Sequence, residues 1–321
     1  MADLKYDPEF SQIIEPIAGQ SLPVFDDPVA MRKAMETVLG QQFKEVPVPA
    51  GVVETAYEVE SLDGTAISVR RFVPSALKNV TKPQRAVIYV HGGGLVLGSV
   101  ELFKPEILKN AHDFEVQIFG VDYRLAPENP APAAVEDTYA VIQWLQAHAE
   151  ELNIDPARIG LWGMSAGGGV AAGTTLFARD KGLTHPLARL VLIYPMLDDR
   201  STVEPSNPLT RRLYWADWQN KLGWNAYLGG REGDQRDDVS IYAAPGRAES
   251  LEGLPPTYIE VTGFDMFAGE CLAFAGKLSK ANNSVEFHLY PGLPHFFDGM
   301  APMIRVTKEA MENRKRVLTD Y

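Results

Sequence analysis

Apolar and polar positions along this chain fall into two recurring patterns. Short runs rich in Val, Ile and Tyr, at 52–61, 66–74, 86–90, 116–123, 158–162, 190–195, 257–263 and 285–292, each read as a strand. Between the later runs lie segments of helical character, roughly 103–112, 133–151, 166–181, 267–281 and 301–318. Strands alternating with helices predict βαβ units and a mostly parallel sheet, so the expected fold class is α/β. The first two runs are different. Asp63-Gly64 joins them, a pair that favours a tight hairpin, so the sheet is expected to open antiparallel.

Two segments break the alternation. Residues 1–45 precede the first strand and look helical in patches, with Asp27-Pro28 as a cap and first-turn pair. Residues 199–250 form a long connection between two apolar strands and carry Tyr214, Trp215, Trp218, Trp224 and Tyr227. A connection of this length in a compact domain is usually functional. Both segments are read as a cap over the strand ends, the alternative being a surface subdomain that only packs. The expected division is 1–50 for N-terminal cap helices, 51–198 for the first part of the core, 199–250 for the cap insertion and 251–321 for the rest of the core.

Composition narrows the function classes. Of 321 residues, 45% are hydrophobic and 22% charged, which excludes a disordered chain, a coiled coil and a collagen. The single cysteine, Cys271, excludes an internal disulfide framework and a Cys-rich zinc site. The net charge of −12, with no cluster of Lys and Arg to displace counterions, makes nucleic acid an unexpected partner. The start, MADLKYDPEF, lacks the basic-then-apolar order of a secretory signal. The most apolar stretch, LARLVLIYPML, is too short to span a bilayer. A cytoplasmic protein without a membrane partner is therefore expected, with its lone thiol reduced.

Residues 163–167 read Gly163-Met164-Ser165-Ala166-Gly167. Chance alone yields GxSxG in about one chain in ten of this composition, so the setting has to carry the signal. Here the motif follows the strand RIGLW and opens the helical segment AGGGVAAGTTLFARD, the strand–turn–helix context of a nucleophile elbow. A serine on such a strained turn projects its Oγ above the sheet, and side chains two positions either side would collide with backbone. The helix N-terminus adds positive dipole beneath a developing anion.

His91-Gly92-Gly93-Gly94 directly follows the strand AVIYV. Glycines leave backbone N–H groups unobstructed, so Gly92 and Gly93 can point at a carbonyl oxygen, with Ala166 as a third donor. A phosphate-binding loop is the competing reading, but the Walker lysine and the dinucleotide spacing are missing. His91 is read as orienting the local backbone.

A general base should sit on a loop past a strand, beside the serine. Of six histidines, His295 in PGLPHFF suits this, whereas His288 lies inside a strand, His112 and His148 near helix ends and His185 in a loop before a strand. The acid that orients it should follow a strand too. Asp265, two residues beyond Gly263, fits best; Glu270 is the rival, Glu260 is inside the strand, and Asp198 and Asp199 follow another strand. The order Ser165, Asp265, His295 is that of α/β hydrolases, not of chymotrypsin or subtilisin.

HGGG at 91–94, DYRLAPE at 122–128, GMSAGG at 163–168, FD at 264–265 and PHFF at 294–297 together resemble the hormone-sensitive-lipase family of α/β-hydrolase carboxylesterases, the bacterial family IV type, over about residues 50–300. The resemblance implies an α/β-hydrolase fold with a helical cap. It implies Ser165, Asp265 and His295 as the triad, with Gly92, Gly93 and Ala166 as the oxyanion donors. Short-to-medium-chain esters are its implied substrates, no cofactor or metal is implied, and a homodimer is an expectation because many members pair. DYRLAPE itself reads as support behind the site, stiffened by Pro127, Pro130 and Pro132. One departure is Met164, where the family usually has Asp or Thr. The same triad could instead serve an amide, carbamate, lactone or thioester. A dead hydrolase acting as a receptor, like the plant gibberellin receptors, would have lost the histidine that is present here as His295. The basic stretch KEAMENRKRVL reads as a solvated helix end.

Overall fold

The computed structural model describes residues 4–14, 23–230 and 237–321. Eight strands form one sheet: β1 (Val52–Glu60), β2 (Ala66–Pro74), β3 (Gln84–Val90), β4 (Gln117–Val121), β5 (Ile154–Met164), β6 (Arg189–Ile193), β7 (Thr257–Phe264) and β8 (Val285–Pro294). Their order is β1-β2-β4-β3-β5-β6-β7-β8. β1 pairs antiparallel with β2 from Val52↔Pro74 to Glu60↔Ala66, across the expected turn, and β2 pairs antiparallel with β4. All pairs from β4 through β8 are parallel. β4 is buried throughout, and β3 and β6 nearly so. Strands covered on both faces need such unbroken apolar runs, so alternation is lost at the sheet centre.

The helices are α1 (Pro8–Ile14), α2 (Pro28–Lys44), α3 (Val100–Phe114), α4 (Ala133–Ala147), α5 (Ala166–Lys181), α6 (Asp217–Tyr227), α7 (Ala268–Lys280), α8 (Phe297–Met300) and α9 (Arg305–Thr319). α3 packs against α9 and α4 against α5. Among the described residues, no helix is long and apolar enough to cross a membrane. The caps explain several boundaries. Asp27 accepts from Val29 N and Ala30 N to start α2, and Ser99 accepts from Leu102 N to start α3 earlier than expected. Just past the end of β4 at Val121, the Asp122 carboxylate accepts from Val100 N at 2.6 Å. β5 begins before the expected 158, because Ile154 already pairs with Gln84 across a bulge. Residues 301–304 lie outside α9, and the Ala301 carbonyl there accepts from Thr307 Oγ1.

The long connection at 199–250 contains α6 and short 3₁₀ turns, and its residues 231–236 lie outside the described residues, as do 15–22 of the N-terminal segment. Trp215, Trp224 and Tyr227 are buried, and Tyr214 and Trp218 are half-buried.

Candidate active site

β5 delivers Met164 to the sheet's carboxyl edge and α5 starts at Ala166, so Ser165 alone makes the turn. Its φ of 56° and ψ of −122° are strained for a residue with a side chain. Backbone bonds hold it: Ser165 N to Ile193 O at 2.9 Å, Met196 N to Ser165 O at 3.0 Å, and Gly168 N and Gly169 N to Ser165 O at 2.9 and 3.2 Å. The flanking glycines are needed for close approach. A Cβ at Gly163 would lie 2.2 Å from Gly167 O, and one at Gly167 would lie 2.1 Å from Val90 O.

His295 follows β8 and Asp265 follows β7, so three parallel strand ends converge on one point. His295 Nε2 lies 2.9 Å from Ser165 Oγ and Nδ1 lies 2.6 Å from Asp265 Oδ2. With the proton on Nδ1, the imidazole donates to the carboxylate and accepts from the hydroxyl. Asp265 is in turn fixed by Phe267 N, which donates to Oδ1 at 3.0 Å. The imidazole is walled by Tyr194 and Phe267, with ring centroids 4.4 and 5.4 Å away.

The other candidates are engaged elsewhere. His91 is buried and stacks on Tyr123 at 4.3 Å, its Nδ1 2.8 Å from Gly92 O; burial pushes its imidazole below the usual range. His112 meets Asp113, His148 caps the Trp144 carbonyl, His288 meets Glu286, and the His185 carbonyl accepts from Gln146. Glu270 accepts from Leu197 N at 2.5 Å and from Ser201 Oγ, and its burial pushes its carboxyl well up. Asp198 pairs with Arg200, Asp199 with Arg247, and Glu260 with Arg314.

Gly92 runs beside the serine: a Cβ there would be 3.3 Å from Ser165 Cβ. Gly93 adopts φ 130° with Leu97 O pressed against it, a conformation closed to side chains. Among the described residues, the N–H groups of Gly92 and Gly93 have no hydrogen-bond acceptor within the chain. Ala166 is the first residue of α5, where an N–H has no partner inside the helix. DYRLAPE braces this loop from behind. Tyr123 Oη donates to His91 O at 2.8 Å, Ala126 N to Leu95 O at 3.1 Å, and Arg124 pairs with buried Asp137 at 2.7 Å.

The space over Ser165 is a narrow cavity of about 50 Å³, walled by Met35 and Leu39 of α2, Met164, Tyr214, Trp215 and Phe296. Both segments that interrupt the strand–helix alternation thus contribute walls. Met164, where a polar residue was the family expectation, is buried and makes that wall apolar.

One group beneath the site escapes a reading by motif. Arg314 is 0% exposed and pairs with Glu260 at 2.5 Å and Asp298 at 2.6 Å. Tyr194 Oη donates to Asp298 and Tyr258 Oη to Glu260. This corrects the reading of KEAMENRKRVL as a solvated helix end, since Arg314 turns into the core. The signal lay in the spacing: Ala310, Arg314 and Val317 fall on one helical face, and the arginine occupies an apolar position. Nearby Glu106 has a buried, unpaired Oε2. Burial and the Asp298 charge push its carboxyl from 4.5 up to about 7. A raised carboxyl costs stability as pH climbs past its unfolded value, the cost being complete above about pH 7. The Glu106→Gln protein should therefore gain about 2 kcal/mol on the parent between pH 5 and pH 8 in urea unfolding. Parallel stability curves would contradict this assignment.

Comparisons with known proteins bear on the fold and the family. Residues 87–299 match the family model described as alpha/beta hydrolase fold. The chain is 31% identical over 300 residues to Esterase LipI of Mycobacterium tuberculosis, covering 92% of each chain. It is 33% identical over 251 residues to Carboxylesterase NlhH of the same organism, covering 77% of this chain and 76% of that one. Among solved structures, a bacterial heroin esterase superposes with TM-score 0.86 at 34% identity, covering 98% of this chain and 97% of that one. An esterase of Pyrobaculum calidifontis superposes with TM-score 0.83 at 28% identity, covering 98% of both. The fold, the spacing of its motifs and these relatives make the chain a member of the hormone-sensitive-lipase family of α/β-hydrolase carboxylesterases.

Proposed function

We propose that this carboxylic ester hydrolase cleaves small-to-medium esters by acyl transfer through Ser165, with His295 as general base and acid and Asp265 as the group that orients it. The observation that supports this most is the unbroken run of hydrogen bonds, 2.6 Å from Asp265 to His295 and 2.9 Å from His295 to Ser165. Ser165 Oγ bonds to the ester carbonyl carbon while its proton passes to His295 Nε2. The carbonyl oxygen becomes an anion facing the N–H groups of Gly92, Gly93 and Ala166. Such donors are worth most where charge develops, roughly 2.7–4 kcal/mol each. The C–O bond then breaks and His295 returns the proton to the leaving alcohol. Water attacks the acyl-enzyme by the same route, releasing the acid and restoring the serine.

The small cavity and its apolar walls favour short acyl groups over long ones. Rates on p-nitrophenyl esters should peak between butanoate and octanoate and fall toward hexadecanoate. A steady rise to hexadecanoate would make the protein a lipase instead. Matched ester and amide pairs decide the second reading, an amide, carbamate, lactone or thioester as the natural substrate. A cytosolic setting belongs to the same proposal: the lone thiol, Cys271, is buried and unbridged.

A further inference from the structure

One face of α2 repeats through Arg32, Met35, Glu36 and Leu39, positions that share a side of the helix. Met35 and Leu39 line the cavity. Arg32 and Glu36 instead reach the loop that carries Gly92 and Gly93. Arg32 Nε donates to Val96 O, and Nη2 donates to Ala126 O at 2.7 Å. The same guanidinium pairs with Glu128 at 2.7 Å. Glu36 Oε1 accepts from Gly98 N at 2.9 Å.

Those backbone groups matter because of how the loop closes. Val96 N and Leu97 N both donate to Gly93 O, at 3.1 and 3.0 Å, so residues 93–97 fold back onto Gly93. Val96 O and Gly98 N then face away from that turn, and a buried backbone group left unpaired is costly. α2 supplies their partners. The helix is itself fixed at its other end, where Gln42 Nε2 donates to Gly299 O at 2.8 Å and the Phe43 ring meets Phe296 at 6.3 Å. It therefore spans from the glycine loop, past the cavity, to the segment just beyond His295.

We propose that Arg32 and Glu36 are positioning residues of the esterase, holding the 93–98 turn so that the N–H groups of Gly92 and Gly93 stay aimed at the developing oxyanion. The proposal rests on the oxyanion assignment above. Neither side chain touches the reacting atoms. Their loss misplaces donors that act only in the transition state, and small misplacements are expensive there.

The test is steady-state kinetics on p-nitrophenyl butanoate together with inhibition by an aliphatic trifluoromethyl ketone. That ketone forms a tetrahedral adduct: Ser165 Oγ bonds its carbonyl carbon, the serine proton moves to His295, and its oxygen becomes an anion. Arg32→Ala and Glu36→Ala should each lower kcat roughly tenfold to a hundredfold, with KM within about threefold of the parent. The inhibition constant should weaken by the same factor as kcat/KM. Glu36→Gln keeps an acceptor for Gly98 N and should stay within about threefold of the parent. It also decides the matter if Arg32→Ala fails to fold. The proposal is overturned if kcat holds within twofold, if the loss falls in KM, if inhibition does not track kcat/KM, or if Glu36→Gln is as damaged as Glu36→Ala. A parent that does not hydrolyse the ester would instead sink the assignment of the site.

Discussion

Replacing Ser165 with alanine should lower kcat on a short-chain p-nitrophenyl ester by a factor on the order of 10⁴–10⁶. The prediction is this large because, among the described residues, the hydroxyl is the one group hydrogen-bonded to His295 Nε2. Without it, His295 can still activate water and the glycine N–H groups can still hold an oxyanion, so some catalysis over water remains. The fold should survive. Alanine at φ 56° is no more strained than serine, and the backbone bonds to Ile193 and Met196 do not use the side chain. Retention of more than a tenth of the activity would remove Ser165 as nucleophile. Losses from Ser165→Ala and His295→Ala should not add, because either change disables the same step.

Arg314→Met should cost about 3–5 kcal/mol in urea unfolding, the largest effect expected from any change outside the triad and its glycines. The arginine is inaccessible to water and lies between two carboxylates that are also buried, Glu260 and Asp298. Removing it leaves those charges without a counter-ion, beside a Glu106 that burial and the Asp298 charge already push toward protonation. The damage should reach the site. Asp298 comes three residues after His295, and the Tyr194 hydroxyl that donates to it belongs to the ring walling the imidazole. A control separates lost charge balance from lost packing: combining Arg314→Met with Glu260→Gln and Asp298→Asn should recover much of the stability, because the two carboxylates that the arginine balanced are then neutral. A loss below about 1 kcal/mol for the single variant would show that the array is not charged as described.

The contrast between these residues shows what could be read from the chain. Ser165 and the glycine loop were legible because their chemistry imposes local rules. A nucleophile on a strand–helix turn requires the glycines at 163 and 167, and a loop of free N–H groups requires those at 92 and 93. His295 and Asp265 were legible once the strand ends were placed, since parallel strands carry whatever follows them to one edge. The inner strands showed themselves as apolar runs. Arg314 shares a helical face with Ala310 and Val317, but that spacing is a weak signal, because a charged residue on a helix is usually solvated and its partner Glu260 lies 54 residues away. Arg32 is a stronger case. Besides Glu128, its acceptors are backbone carbonyls, 64 and 94 residues distant, and a carbonyl leaves no trace in residue type. Glu270 looked like a rival acid from its position; only its bonds to Leu197 and Ser201 show it tying the start of the long connection to the core.

The most direct test is inactivation with a fluorophosphonate, followed by mass spectrometry of the intact protein and its peptides. Activity should fall in step with incorporation of one phosphonyl group, on the peptide that contains Ser165, and the Ser165→Ala protein should take up none. Full ester hydrolysis after saturating treatment, or a single adduct on any other residue, would contradict the account.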